Sequence, residues 1–158
     1  MSENSMISSI IGIEFKPMVR KVIKKLSKYL YLVIKRILDI LVSSFGLIIA
    51  SPLFIIIAIL IKKEDNGKVF LIQKRIGKNG KEFNLYKFRS MVKDADEILA
   101  QMMKNPEIKK EYKKNMKLKN DPRITRIGHF IRKTSIDELP QLLNVLIGNM
   151  SLIGNRPY

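Results

Sequence analysis

Residues 37–61 form an almost unbroken aliphatic run, interrupted only by Asp39, Ser43, Ser44, Gly46, Ser51 and Pro52. Elsewhere the apolar positions recur with a period. Upstream, 16–36 sets Val22, Ile23, Leu26, Tyr29 and Leu30 among lysines and arginines, the pattern of an amphipathic helix lying on an anionic surface. Residues 1–15 show no strong pattern. Downstream, 69–72 and 83–86 flank Asn79-Gly80, a pair suited to a type I′ turn, and predict a β-hairpin over 68–89 with a bulge at Gly77. Ala95, Ile98, Leu99, Met102 and Met103 recur at helical spacing, which predicts a helix over 94–103. Asn105-Pro106 ends it and starts a lysine-rich helix over about 107–117, whose cations read as a solvated or a lipid-facing face.

After the turn signal Asp121-Pro122, a short helix places Ile127, Phe130 and Ile131 inward and Arg126, Arg132 and Lys133 outward. His129 has no ligand partner nearby in sequence and reads as a surface residue. A last helix opens at Ser135-Ile136-Asp137-Glu138, carries Leu139, Leu142, Leu143 and Leu146, and stops at Gly148.

The central run is long enough, at about 37 Å as a helix, to cross a hydrocarbon core of roughly 30 Å. Pro52 changes that reading, because it removes a backbone donor and crowds the preceding turn. A break at Ser51-Pro52 leaves two arms, each too short to span alone. Basic residues flank both ends, Lys35-Arg36 before and Lys62-Lys63 after, and positive charge is retained on the cytoplasmic side. A re-entrant hairpin that returns to its own face satisfies both facts, with serine hydroxyls serving the backbone groups that proline frees. A straight span with a proline kink satisfies the first alone. Asp39 is tolerable near an interface, with Arg36 three residues back on the same face.

The chain of 158 residues holds 30 Lys+Arg against 14 Asp+Glu, a formal charge of +16, so an anionic partner is expected. No cysteine is present, which excludes disulfides and thiolate zinc sites. The charge surrounds a greasy run and no nucleic-acid motif accompanies it, so a lipid surface or a phosphorylated substrate suits it better than nucleic acid.

Candidate chemistry gathers near the C-terminal end. Ser135-x-x-Glu138 fits a capping box, and taken alone that reading is favoured for Asp137 and Glu138. Arg132 lies one turn earlier, however, and Arg156 follows Gly154. Two carboxylates, two guanidiniums and a helix N-terminus make a set able to hold a pyrophosphate with a divalent cation. The helix dipole and Arg132 would favour an ionised Asp137.

In chain order, Lys35-Arg36-Ile37-Leu38-Asp39, Ser51-Pro52, Gln73-Lys74-Arg75-Ile76-Gly77 and Lys87-Phe88-Arg89-Ser90-Met91 lead to a second group of motifs. These are Asn120-Asp121-Pro122-Arg123-Ile124-Thr125, Thr134-Ser135-Ile136-Asp137-Glu138-Leu139-Pro140-Gln141 and Gly148-Asn149-Met150-Ser151-Leu152-Ile153-Gly154, followed by Arg156-Pro157. As a set, over about 35–158, the chain resembles the bacterial sugar transferase family, the monotopic phosphoglycosyl transferases that act on polyprenyl (undecaprenyl) phosphate. The resemblance implies an α+β, mainly α, monotopic membrane protein at the cytoplasmic face of the bacterial inner membrane. Its parts are a basic amphipathic segment (1–34), a re-entrant hairpin broken at Ser51-Pro52 (35–63) and a cytoplasmic catalytic domain (64–158) with surface amphipathic helices and a small β-hairpin. It further implies transfer of a phosphosugar from a nucleotide diphosphate sugar to polyprenyl phosphate, with Mg²⁺ as cofactor, at the start of exopolysaccharide, capsule or lipopolysaccharide synthesis. By the family pattern Asp137 is the nucleophile and Glu138 a Mg²⁺ ligand, Arg132 and Arg156 contact phosphate, and Lys87 and Arg89 line the site.

Three positions depart from that pattern. Ser90 stands where the family usually has threonine, and Asn155 where it usually has proline, which loosens the turn ahead of Arg156. The chain stops at Tyr158, where family members continue, so a compact form cut short is expected. The alternative is a truncated, inactive, membrane-anchored member. The sugar, the nucleotide base and the oligomeric state are not written in these residues.

Overall fold

The computed structural model describes the backbone of residues 3–77 and 80–154, with side chains from residue 18 onward. The elements run α1 (Glu3–Asp65), β1 (Phe70–Ile76), β2 (Glu82–Phe88), α2 (Ala95–Met102), α3 (Pro106–Asn115), α4 (Arg126–Lys133), a 3-10 turn (Ile136–Glu138) and α5 (Gln141–Ile147). The fold is therefore mainly helical with a small antiparallel sheet, as expected. The chain divides inside α1 into two units, residues 1–41 and 42–158.

The first unit is helix alone, and between residues 18 and 38 all its large apolar side chains face outward. In it Lys35 Nζ lies 3.3 Å from Asp39 Oδ2, one helical turn on, which offsets the charge of the carboxylate in the aliphatic run. By length and composition α1 is long and apolar enough to cross a membrane.

At Ser51-Pro52 the expected break is not a break in the helix: the backbone stays helical through both residues. The physical reason lies next to the proline. Pro52 has no N–H for the carbonyl four residues back, which is that of Ile48, and the Ser51 hydroxyl donates to that same oxygen at 2.7 Å. The freed acceptor is thus satisfied locally.

In the second unit Ile57, Ile61, Phe88 and Ile131 form the buried core, with Leu53, Phe54, Val69, Ile127 and Ile136 packed on it. Phe88 is the centre, stacked on Phe70 (5.2 Å) and edge-on to Phe54 (5.0 Å). The last turns of α1 thereby become part of the core beneath β2 and α4.

The strands run longer than their apolar cores predict, paired from Phe70↔Phe88 to Ile76↔Glu82. The connection is a loop over 77–81, narrowed by Gly77 N–H donating to Lys81 O at 2.8 Å. Of the expected Asn79-Gly80 turn, Gly80 is left-handed at φ 73 and its N–H donates to Gly77 O at 3.3 Å, while Asn79 lies outside the described residues. Asn144 of α5 is wholly buried and closes the free edge of β2, accepting from Tyr86 N–H (3.0 Å) and donating to Asn84 O (2.6 Å). A strand edge left open inside the unit is costly, and this amide supplies both missing partners.

Helices α2 and α3 follow the predicted periods: α2 half-buries Ala95, Ile98, Leu99 and Met102, and the α3 lysines are exposed. Asn105 caps α3 by accepting from Glu107 N–H at 2.9 Å. Gly148, at φ 93, ends α5 in the left-handed conformation predicted for it. In α4 the expectation fails for Phe130, which is exposed, while Gly128 is buried in its place. A Cβ on Gly128 would lie 2.0 Å from the carbonyl oxygen of Ser90, so this face of α4 is pressed onto backbone where a large ring has no room.

Candidate functional site

Asp137 and Glu138 do not sit in the first turn of a helix. Ser135 has φ 58, a left-handed conformation uncommon outside glycine, and makes no side-chain cap. The capping box is therefore absent, and the two carboxylates lie in the 3-10 turn before α5, which starts at Gln141. The helix that was to open at Ser135 begins six residues later, after the left-handed Ser135 and the 3-10 turn.

The turn faces β2. Lys87, near the strand exit, reaches Glu138 with Nζ to Oε1 at 3.0 Å. Asp137 is half-buried and feels both cations. Burial pushes its carboxyl above the ordinary aspartate range; the charge of Lys87 opposes that, Glu138 adds to it, and Arg132 opposes it. The outcome reverses the expected favouring of the ionised form: desolvation outweighs two neighbouring cations. Lys87, Arg132, Asp137 and Glu138 are thus brought together by β2, α4 and the turn.

Arg132 projects from the last turn of α4, and its Nε donates to Ser90 Oγ at 2.7 Å. Behind it, Asp121 and Arg123 form a buried bidentate pair, with Arg123 Nε at 2.8 Å and Nη2 at 2.6 Å from the carboxylate. The side-chain bond from Arg123 holds the Asp121 carboxyl low against the opposing effect of burial, and Arg132 contributes at longer range. Arg123 also lies over the Tyr112 ring, 6.0 Å from its centroid.

Arg89 is placed differently. Its guanidinium is bound by Asp65 at the end of α1, and Asp65 also accepts from Gly67 N–H (3.0 Å) and Lys93 N–H (3.1 Å). Burial works against ionising Asp65, but these bonds prevail and its carboxyl is held below the usual range. Glu64 beside it accepts from Arg126 N–H at 2.6 Å, at the start of α4. Consecutive acids at the helix end thus tie down both the strand that carries Lys87 and the helix that carries Arg132. Arg156, like Asn155, lies outside the described residues.

Asp65, Ser90 and Asn144 carry much of this architecture and were not singled out for it. The sequence signals were a polar residue inside the apolar stripe of α5, a turn-like Asp65-Asn66-Gly67, and the place of Ser90 in the motif Lys87-Phe88-Arg89-Ser90-Met91. His129 is exposed, as read.

Among the described residues no cluster of three or more histidine, aspartate or glutamate side chains comes together. Mg²⁺ characteristically takes one or two carboxylates and completes its shell with water and substrate phosphate. The adjacent acids fit an ion that arrives with a diphosphate, and Glu138 already accepts a cationic group, the Lys87 ammonium.

A family model for bacterial sugar transferases matches residues 30–158. An uncharacterised sugar transferase of Haemophilus influenzae is 52% identical over 79% of this chain and 26% of its own length. The exopolysaccharide production protein ExoY of Rhizobium meliloti is 47% identical over 78% of this chain and 55% of its own. The undecaprenyl-phosphate galactose phosphotransferase of Salmonella typhimurium is 50% identical over 85% of this chain and 27% of its own. The chain spans between about a quarter and just over half the length of these curated relatives.

Proposed function

Because the chain belongs to the bacterial sugar transferase family, we propose that it moves a phosphosugar from a nucleotide diphosphate sugar to polyprenyl phosphate at the cytoplasmic face of the membrane. The names of its relatives, one of them an undecaprenyl-phosphate galactose phosphotransferase, support that substrate class. The observation that carries the reading is a half-buried Asp137 whose charge is raised in cost by burial and countered by Lys87 and Arg132. A carboxylate poorly solvated in the free protein is a better nucleophile, and the same cations receive the anionic substrate that it would otherwise repel.

The ionised Asp137 attacks the sugar-bearing phosphorus. An aspartyl–phosphosugar bond forms, the phosphoanhydride breaks, and a nucleoside monophosphate leaves with the bond's electrons. An oxygen of polyprenyl phosphate then attacks the same phosphorus and releases the Asp137 carboxylate, giving a polyprenyl diphosphosugar. Arg132 offers the phosphates a planar pair of donors and Lys87 a point charge. Glu138 would hold Mg²⁺, which when bound neutralises the diphosphate and the departing monophosphate. Both substrates meet at one face if α1 reverses within the bilayer by bending at Ser51-Pro52, where the carbonyl freed by proline already has a partner.

The test is adduct trapping. With an appropriate nucleotide sugar, the wild type is expected to gain the mass of one phosphosugar and to release nucleoside monophosphate only when Mg²⁺ is present. Asp137→Asn should show neither, while Lys87→Met retains a slower reaction. An adduct that persists in Asp137→Asn assigns the nucleophile elsewhere.

A further inference from the structure

Arg132 is held by one nitrogen only. Its Nε donates to Ser90 Oγ at 2.7 Å, and among the described residues its two terminal nitrogens make no hydrogen bond. Ser90 is itself 6% exposed and clamped at its other end. Its carbonyl accepts from Thr125 N–H at 3.2 Å, and Gly128 lies so close that any side chain there would strike that oxygen. The residue is thus fixed against both the N-terminus and the inner face of α4, the helix from which Arg132 projects. A guanidinium is planar, so anchoring Nε sets the direction of the remaining donors. Asp121 does not take those donors; its carboxylate is bound by Arg123 through the backbone N–H, Nε and Nη2.

We infer that Ser90 is a positioning residue: its buried hydroxyl holds Arg132 by Nε, so that the two terminal nitrogens form a bidentate phosphate clamp beside Asp137. The inference rests on the proposed role of Arg132 in binding the diphosphate. Ser90 touches no substrate and acts only through the arginine. Any β-hydroxyl of similar reach serves, so threonine replaces serine here and alanine does not.

The experiment compares wild type, Ser90→Ala, Ser90→Thr, Arg132→Ala and the double variant Ser90→Ala/Arg132→Ala in the full chain. Two readouts are taken: kcat/KM for the nucleotide sugar, and hydrogen exchange at the Arg132 Nε–H by NMR, its signal identified by loss in Arg132→Ala. Loss of a hydrogen bond to a charged group predicts a fall in kcat/KM on the order of tenfold in Ser90→Ala. Ser90→Thr should stay near wild type, and Ser90→Ala should add nothing once Arg132 is gone. The Nε–H should exchange slowly in wild type and Ser90→Thr and fast in Ser90→Ala. Losses that multiply in the double variant, or equal Nε–H protection in Ser90→Ala, overturn the inference. If the wild type turns over none of the nucleotide sugars, the functional reading fails, and the Nε–H exchange alone decides for or against Ser90 as the anchor.

Discussion

Asp137 carries an internal conflict that can be read by titration. Burial raises its pKa, and the largest opposing influence is the Lys87 charge. As the proposed nucleophile Asp137 must be ionised, so the rate is expected to fall as pH drops through that pKa, on an acid limb above the ordinary aspartate value of about 3.9. Lys87→Met removes the lowering influence, and the limb of kcat/KM should move to higher pH. A limb that stays in place would show that the ammonium does not act on Asp137. Stability follows the opposite logic. The folded state holds this proton more tightly than the unfolded chain, so the stabilisation is present below the unfolded pKa and is lost as pH rises through the folded one. At neutral pH the ionised carboxylate is a standing cost. Asp137→Asn should therefore melt at a higher temperature than the wild type while losing turnover; a lower melting temperature in detergent at pH 7 would contradict this.

Besides the apolar core, single polar side chains tie elements together. Asn144, with no exposure of its own, hydrogen-bonds α5 to the outer edge of β2. Asn144→Ala leaves the Tyr86 N–H and the Asn84 carbonyl without their partner and a cavity at a buried position, an expected loss of about 2 kcal/mol in denaturant unfolding. At the end of α1, Asp65→Ala takes the partner from the Arg89 guanidinium and from two backbone N–H groups, and for a part-buried pair of this kind a loss of about 2 kcal/mol is expected. Its effect on turnover should come through loss of structure, visible as a lowered unfolding midpoint. A neutral midpoint would mean that Arg89 finds another partner. These joints explain what was legible beforehand. The periods of α2 and α3 and the stop at Gly148 are local, so spacing revealed them. The 3-10 turn was not legible, because Ser135 takes a left-handed conformation against the local preference for a capped helix. Phe130 was placed inward because periodicity cannot register that Gly128 must lie against Ser90.

For the molecule as a whole, the orientation of the hydrophobic segment decides whether the proposed lipid and nucleotide substrates share a compartment. The chain has no cysteine, so single cysteines introduced at the exposed positions Lys28 and Lys63 report without background. In sealed, inside-out vesicles both are expected to react with a membrane-impermeant maleimide. Protection of one alone would establish a straight span and end the re-entrant proposal. By themselves, the residues determined the aliphatic run, the proline within it, the basic flanks, the helical periods and the motifs of the family, since each depends on near neighbours in the chain. Tertiary structure alone decided that Arg89 belongs to Asp65 and that Ser90 holds Arg132. It also decided that burial prevails over two cations at Asp137. Hydrogen-bond partners and desolvation come from groups far apart in the chain, and no spacing rule counts them.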